Sequence, residues 1–476
     1  MAARTGRIRV TGNRTLKHRL LVGATSIALA LGLVPTQGFA QSAADLQMLR
    51  EQIAELKAQQ EASAARIRQL ESALAEVSAR PSAAPVQTAA AAPAPSATQP
   101  IPAATGQQVA RADLAPSPAA AINPAGGSSP GQPPAAAPRK LAVNGDVRVR
   151  YEQNWGDQDA RTRHRGVLRA RLRANYAVND WLSVGGQLVT GDPDDPNSSD
   201  ITLGNFNDDL MVSLDQAFIR GTFGNLQVTA GKIPQTFVRT ELVWDGDVSP
   251  QGVAATYRFD LGGGSTLRVN GLYFLVDESV AGPNSDMIGG QLQFETAPGT
   301  PLRFELAAGY YDYQLRSLAG GDAGDFRTNR FLNGRYLSDF DLLDVIGAVT
   351  FNGFGERWPV RVVGDYVHNF GATTNQDTGF GVDLLVGRAS RQHDWRVGYG
   401  YAQAGVDAVL TAFSHDNTDL ASNYKQHTAL IDYMLMPNVT LNGTFYRFKP
   451  KSTLFTPTFL PHDWVNRLRL NLLVNF

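Results

Sequence analysis

The 476-residue sequence contains no cysteine. Thiol catalysis, Cys-ligated zinc, iron–sulfur clusters and disulfides are thereby excluded, and the absence suits an oxidising compartment entered without disulfide bonds. Lysine is scarce, with seven Lys against 36 Arg. Basic and acidic residues nearly cancel to a formal net charge of -1, so no overall field points to nucleic acid as a partner. Beyond the N-terminal region no apolar run approaches the ~18 residues of a membrane-spanning helix. The seven His (His18, His164, His368, His393, His415, His427, His462) show no metal-ligand spacing. The chain does not read as an enzyme: no catalytic residue, no cofactor and no metal site is expected.

What is present changes character along the chain. Residues 1–40 read as a signal peptide: Arg4, Arg7, Arg9, Arg14, Lys17 and Arg19 precede an apolar core from Leu20 to Val34, and Gly38-Phe39-Ala40 offers small residues for cleavage. In residues 41–80, Leu46, Leu49, Ile53, Leu56, Ile67, Leu70, Leu74 and Val77 keep a three-four spacing, with Gln60 and Ser63 filling the same seam in the middle. This predicts a short periplasmic coiled coil, with a solitary amphipathic helix as the alternative. Residues 81–140 are nearly all Ala, Pro, Ser, Gly and Gln and cannot bury enough apolar surface to fold. They read as a disordered linker.

From residue 141 to residue 476 the pattern is of alternating segments roughly ten residues long, as in transmembrane barrels. The last shows it best, with Trp464, Asn466, Leu468, Leu470, Leu472, Val474 and Phe476 on one face and Arg467, Arg469, Asn471 and Asn475 on the other. Period-two alternation marks a strand with unlike faces. The reading yields about sixteen strands, an even number as closed bacterial barrels require. Connections alternate between short (Val178–Asp180, Thr222–Asn225, Met436–Pro437) and long (Gly191–Asp208, Ile233–Pro250, Arg316–Asp339, Ala404–Asn423). Outer-membrane barrels have short periplasmic turns and long external loops. The fold expected for residues 141–476 is therefore all-β, a transmembrane antiparallel β-barrel in the bacterial outer membrane.

The second strand carries the clue to a pore. Arg163, Arg165, Arg169, Arg171 and Arg173 share one face. Facing lipid, each would cost about 2–4 kcal/mol near mid-depth, so they are expected to face a wet interior. The alternative is that they pair with acids and plug it. Closure of the barrel would place Arg148 and Arg150, Arg169 and Arg171, and Arg467 and Arg469 side by side, at similar depth if each lies near the middle of its strand. Glu241, Asp245 and Asp247, in the third external loop, are the expected opposing acids of a constriction. The alternative leaves that loop outside, with Asp245 and Asp247 capping a turn. The acidic stretch from Asp192 to Asn197 lacks EF-hand spacing and reads as a solvated loop.

Gly231-Lys232-Ile233-Pro234 and the run from Trp244 to Ala254, together with the N-terminal coil and Phe476, resemble the "putative porin" family of proteobacteria, relatives in outline of the phosphate-selective porins. The resemblance implies a homotrimeric sixteen-stranded channel whose third loop folds inward. It implies Phe476 as an assembly signal read by the barrel assembly machinery, and contact with outer-membrane lipid. The expected function is passive diffusion of small hydrophilic solutes or ions. The alternative is a structural or adhesion protein whose barrel anchors a periplasmic coiled-coil spacer.

Overall fold

The computed structural model describes residues 140–156, 162–204, 209–298, 300–457 and 460–476. The expected signal peptide, coiled coil and nearly all of the linker lie outside the described residues. Sixteen long strands follow one another: β1 (Leu141–Gly156), β2 (Arg163–Ala177), β3 (Leu182–Thr190), β4 (Val212–Phe223), β5 (Leu226–Lys232), β6 (Gln251–Gly262), β7 (Ser265–Asp277) and β8 (Ser285–Glu295). The second half comprises β9 (Leu302–Gln314), β10 (Phe340–Phe351), β11 (Val360–Asn369), β12 (Thr378–Gly387), β13 (Trp395–Ala404), β14 (Tyr424–Met436), β15 (Val439–Pro450) and β16 (Val465–Asn475).

Each strand pairs antiparallel with its neighbours in sequence, and β16 pairs with β1 from Asp146↔Asn475 to Gly156↔Val465. That last pairing closes the sheet and leaves no open edge with a row of unpaired backbone groups. Alternation decides which side chains face inward. In β7, Thr266, Arg268, Asn270, Leu272 and Phe274 are buried inside, whereas Val269 and Tyr273 are exposed on the outer face. Exposed aromatics form two belts, with Trp181, Phe223, Phe259, Phe351, Trp358 and Trp395 towards the short turns and Tyr273, Tyr310, Tyr366 and Tyr399 towards the long loops.

The strand number agrees with the sequence reading, but some ends move. β1 continues to Gly156, past residue 152, because backbone pairing persists through Gln153-Asn154-Trp155 where side-chain alternation has faded. A two-residue strand, Ile201–Thr202, pairs with Leu168 and Val167 at the long-loop end of β2, past the last pair that β2 makes with β3.

Closure depends on a close approach at one glycine. The Gly145 N–H donates to the Phe476 carbonyl (2.9 Å), the Phe476 N–H donates back to the Gly145 carbonyl (3.0 Å), and the Phe476 ring lies where a Cβ on Gly145 would stand. Gly145→Leu is therefore expected to hinder closure as strongly as deletion of Phe476. The check is the amount of heat-modifiable, folded barrel in membranes; wild-type amounts of either variant would show that this contact does not limit assembly.

The long connections do not stay outside. L3 (residues 233–250) and L7 (residues 405–423) fold into the barrel. Gly231, at φ +121°, faces Gly252 across the β5–β6 ladder at the root of L3, and a Cβ there would overlap the Ala217 carbonyl. L3 is then fastened to the far wall. The Val238 N–H donates to Gln291 Oε1 of β8 (2.8 Å), Gln291 Nε2 donates to the Val238 carbonyl (2.7 Å), and the Thr240 hydroxyl donates to Asp365 of β11. Trp244, fully buried, stacks on Phe413 of L7 (5.9 Å between centroids) and meets Tyr311 of β9 edge-on (5.6 Å). An apolar cluster thus lies inside the barrel, on the side where L3 and L7 meet the wall.

Candidate pore constriction

The inner face of β1 reads Asp146, Arg148, Arg150, Glu152, because even-numbered residues of this strand point inward. Arg165, Arg169 and Arg171 of β2 and Arg467 and Arg469 of β16 flank it. The structure brings all six arginines of the expected constriction onto three adjacent strands, each at most 6 % exposed. It does not bring them to one depth. Arg148 stands opposite Arg169, but Arg469 stands opposite Glu152, and Arg467 opposite Asn154. The ladder climbs as a staircase, because strands of a closed barrel are sheared past one another and strand midpoints do not align.

Every one of the six meets a carboxylate. Arg169 and Arg171 share Asp146 (3.0 and 2.7 Å), and Arg171 also reaches Asp247 of L3 (3.1 Å). Arg148 and Arg150 both grip Asp200 of L2 (residues 191–211), the latter at 2.6 Å. Arg469 binds Glu152 (2.7 Å), and Arg467 binds Asp419 of L7 (2.6 Å). Asn417 of L7 completes the contact: its carbonyl accepts from Arg467 and its Oδ1 from Arg469, both at 2.8 Å. The arginines are thus paired, which is the alternative weighed for them in the sequence, and the pairs tie L2, L3 and L7 to the β16–β1–β2 wall.

The expected acids of L3 divide. L3 does enter the barrel, but of Glu241, Asp245 and Asp247 only Asp247 touches one of these arginines. Burial opposes its ionisation, yet Arg169 and Arg171 outweigh that and hold its carboxyl below the usual range; Ser199 Oγ also donates to it (2.8 Å). Asp245 accepts from the Asp247 backbone N–H (2.8 Å), the turn-capping role foreseen as the alternative. Burial first, then Glu241, Asp416 and Asp247, push the Asp245 carboxyl well above its ordinary value. Glu241 pairs with Arg239 of its own loop (3.3 Å) and accepts from Asn417 (3.4 Å).

The partners that sequence reasoning missed are Asp146, Glu152, Asp200, Asp419 and Asn417. Asp146 and Glu152 were findable, since they share parity with Arg148 and Arg150 on one strand. Asp200, Asp419 and Asn417 gave no local signal. In the acidic stretch of L2, the Asp192 and Asp195 carboxylates accept from the Asp194 and Asn197 backbone N–H groups, while Asn197 Nδ2 donates to the Ser414 carbonyl of L7 (2.7 Å).

L5 (residues 315–339) pins L7 from above. Asn329 Nδ2 donates to the carbonyls of Val406 (2.8 Å) and Val409 (2.9 Å), and Arg330 pairs with Asp407 (2.7 Å). Within L7, His415 is 2 % exposed, and burial, reinforced by Arg327, Arg469 and Arg467, lowers its pKa from 6.5 to about 3. The unfolded loop takes up a proton below 6.5 that the packed loop refuses down to about 3. Its packing is therefore favoured fully above pH 6.5 and progressively less as the pH falls towards 3. By pH 4 the loss amounts to about 3 kcal/mol. Hydrogen-exchange protection of residues 405–423 should drop between pH 7 and pH 4, and the drop should vanish in His415→Gln. Equal protection of wild type at both pH values would contradict this.

Residues 156–320 match the family model described as "Putative porin". No curated protein matches the sequence. Similar solved structures include OprB of Pseudomonas putida in its high-pH form, 14 % identical, covering 71 % of this chain and 94 % of that one at a TM-score of 0.48. They also include OmpF of Salmonella typhi in complex with daunomycin, 12 % identical over 71 % of this chain and 97 % of that one, at 0.45. A loop-deletion mutant of OmpT, an outer membrane protein of Vibrio cholerae, is 10 % identical over 71 % of this chain and all of that one, at 0.42. The segment matched by the "Putative porin" model builds β2 to β9 and carries L3, and it includes the residues from Gly231 to Pro234 and from Trp244 to Ala254 that resemble that family.

Proposed function

We propose that this chain is an outer-membrane porin that lets small hydrophilic solutes or ions diffuse through its barrel, with its narrowest passage beside the arginine–carboxylate staircase. The observation that carries the reading is the inner wall: a closed sixteen-stranded barrel with charged inward side chains, narrowed by loops that enter it. A lipid-facing scaffold has no use for buried arginines on three adjacent strands. No enzymatic role is invoked. A homotrimer with the coil in the periplasm fits the same reading.

Planar-bilayer recording tests it. Reconstituted protein should give discrete conductance steps, whereas a barrel that only anchors a coil gives none. Selectivity then tests the residues. Asp200→Asn with Asp247→Asn is expected to move the reversal potential in a salt gradient towards anions, and Arg169→Ala with Arg171→Ala towards cations. Asp245→Asn should shift the reversal potential far less, since Asp245 caps a turn and touches none of the six arginines. If both double variants keep the wild-type reversal potential, the staircase does not line the passage.

A further inference from the structure

Outside the lumen, the long-loop end of β14 and β15 carries a group of cations that pore function does not use. In β14 the buried residues Tyr424, Gln426, Thr428 and Leu430 face inward, so Lys425 and His427 face outward. In β15, Thr444, Tyr446 and Phe448 face inward, so Arg447 and Lys449 face outward. The register sets Lys425 directly opposite Lys449 and His427 directly opposite Arg447. Like charges opposite one another on a sheet face repel and destabilise the pairing. Lys451, just beyond β15, adds a third ammonium close enough to Lys425 for the two to repel.

Nothing among the described residues neutralises this group: none of these side chains takes part in an ion pair. The neighbouring acids are engaged elsewhere or are single. Asp463 accepts from the Trp464 backbone N–H (2.7 Å), and Asp377 is one carboxylate, which acts on Lys451. Aromatic rings shape the patch instead. Arg447 lies over the Trp464 ring at 5.2 Å and Lys449 at 4.8 Å, which orients both cations without discharging them. His427 Nδ1 is hydrogen-bonded to the Tyr399 hydroxyl (2.8 Å), and its ring lies 5.6 Å from that of Trp464.

The height of the patch identifies its neighbour. From His427 the outer face of β14 runs nine residues down to Met436 at the short turn, through exposed Ala429 and Ile431. At about 3.4 Å per residue and a tilt of about 40°, that is roughly 23 Å along the membrane normal, close to the height of a barrel's apolar band. The cations therefore sit at the upper boundary of the hydrocarbon layer, where lipid phosphates lie, and they face the lipid rather than the lumen. A free phosphate in solution would have to approach from within the bilayer surface.

We propose that Lys425, Arg447 and Lys449, framed by Trp464, bind the phosphate of an outer-leaflet glycolipid headgroup. This rests on the long-loop end facing outward, as in the porin reading above. The phosphate accepts from three cationic donors on adjacent strands, and the repulsion between the opposed lysines turns into attraction for one shared anion.

The test is native mass spectrometry of the full-length protein in detergent with bisphosphorylated lipid A, and with its dephosphorylated form as the second arm. Wild type should retain the bisphosphorylated lipid preferentially, and Lys425→Gln/Arg447→Gln/Lys449→Gln should weaken that retention about 100-fold, at the usual gain per surface cation. Millimolar inorganic phosphate should not displace the lipid. Unchanged conductance in the triple variant shows that the barrel has folded, and is expected because these cations lie outside the lumen. Equal retention of both lipid forms by wild type, or equal binding by the variant, overturns the proposal. Displacement by inorganic phosphate would assign the patch to a free anion, and a change of oligomeric state in the variant would assign it to a second copy; either outcome overturns it too. Absent conductance with intact lipid preference would instead count against the porin reading alone.

Discussion

Replacing Glu152 with alanine is expected to weaken the barrel more than any other single change on its inner wall. This carboxylate is 2 % exposed and sits between the first strand and both of its neighbours. It accepts from Arg165 of β2 at 2.8 Å and from Arg469 of β16 at 2.7 Å, with Arg467 at 3.9 Å. Removing it leaves Arg467 and Arg469 buried with less compensation. Breaking one side of a buried ion pair costs about 3–5 kcal/mol, because the charge left behind is uncompensated. Glu152→Gln, which keeps the volume and one acceptor, should lose less. The measurement is the temperature at which the folded electrophoretic form disappears, read at several heating times because unfolding of such barrels is governed by rate. An alanine variant as heat-resistant as wild type would show that the seam is held by backbone pairing alone.

The second large effect is expected at Trp244. Its indole fills the space between Phe413 of L7 and Tyr311 of β9, with Phe237 (6.3 Å) and Tyr313 (6.3 Å) alongside. Trp244→Ala removes the wedge between L3 and the wall, and such truncations cost about 3–5 kcal/mol. Two consequences should appear together. L3 should open to trypsin at Arg239, which in the packed loop is bound to Glu241 (3.3 Å) and donates to the Trp244 carbonyl (3.4 Å). Single-channel conductance should also rise, with added noise as the loop samples released positions. Trp244→Phe should restore most of the protection. Protease resistance and conductance identical to wild type would show that the polar ties to Gln291 and Asp365 hold L3 without the cluster.

The strands are legible because the barrel imposes a rule on their middles: outward residues there are apolar, and the next points inside. That rule reaches Leu470, Leu472 and Val474 as plainly as it reaches Val269 and Tyr273. The arginine wall was legible for the same reason, since Arg169 and Arg171 break the rule on the lipid side and satisfy it on the other. Depth was not legible. Nothing in β16 alone says that Arg469 meets Glu152 rather than Arg148, because the offset is a property of the closed sheet. The path of the loops is partly legible. L7 carries Val406, Val409, Leu410, Phe413 and Leu420, all buried, and a loop lying in solvent has no reason to hold five such residues. The assignment of acids failed differently. Glu241 and Asp245 were placed opposite the arginines by their position in L3, whereas Asp146 and Glu152 stood two residues from Arg148 and Arg150 throughout.

The charged seam between β16 and β1 also solves a problem that the lipid-facing pattern leaves open. A slip of one residue would turn apolar side chains inward and is rejected at once. A slip of two keeps every side chain on its proper face, and the bilayer cannot tell it from the native alignment. Moving β16 by two in one direction would take Arg469 from Glu152 and set it against Arg150, a like charge where Arg150 now meets Asn471, although Arg467 would then reach Glu152; moving it the other way would set Asn471 against Glu152 and strand Arg469 beside Asn154. The order Asp146, Arg148, Arg150, Glu152 thus acts as a ratchet tooth at the joint that closes the sheet, favouring one alignment of the two ends over its even-numbered imitations.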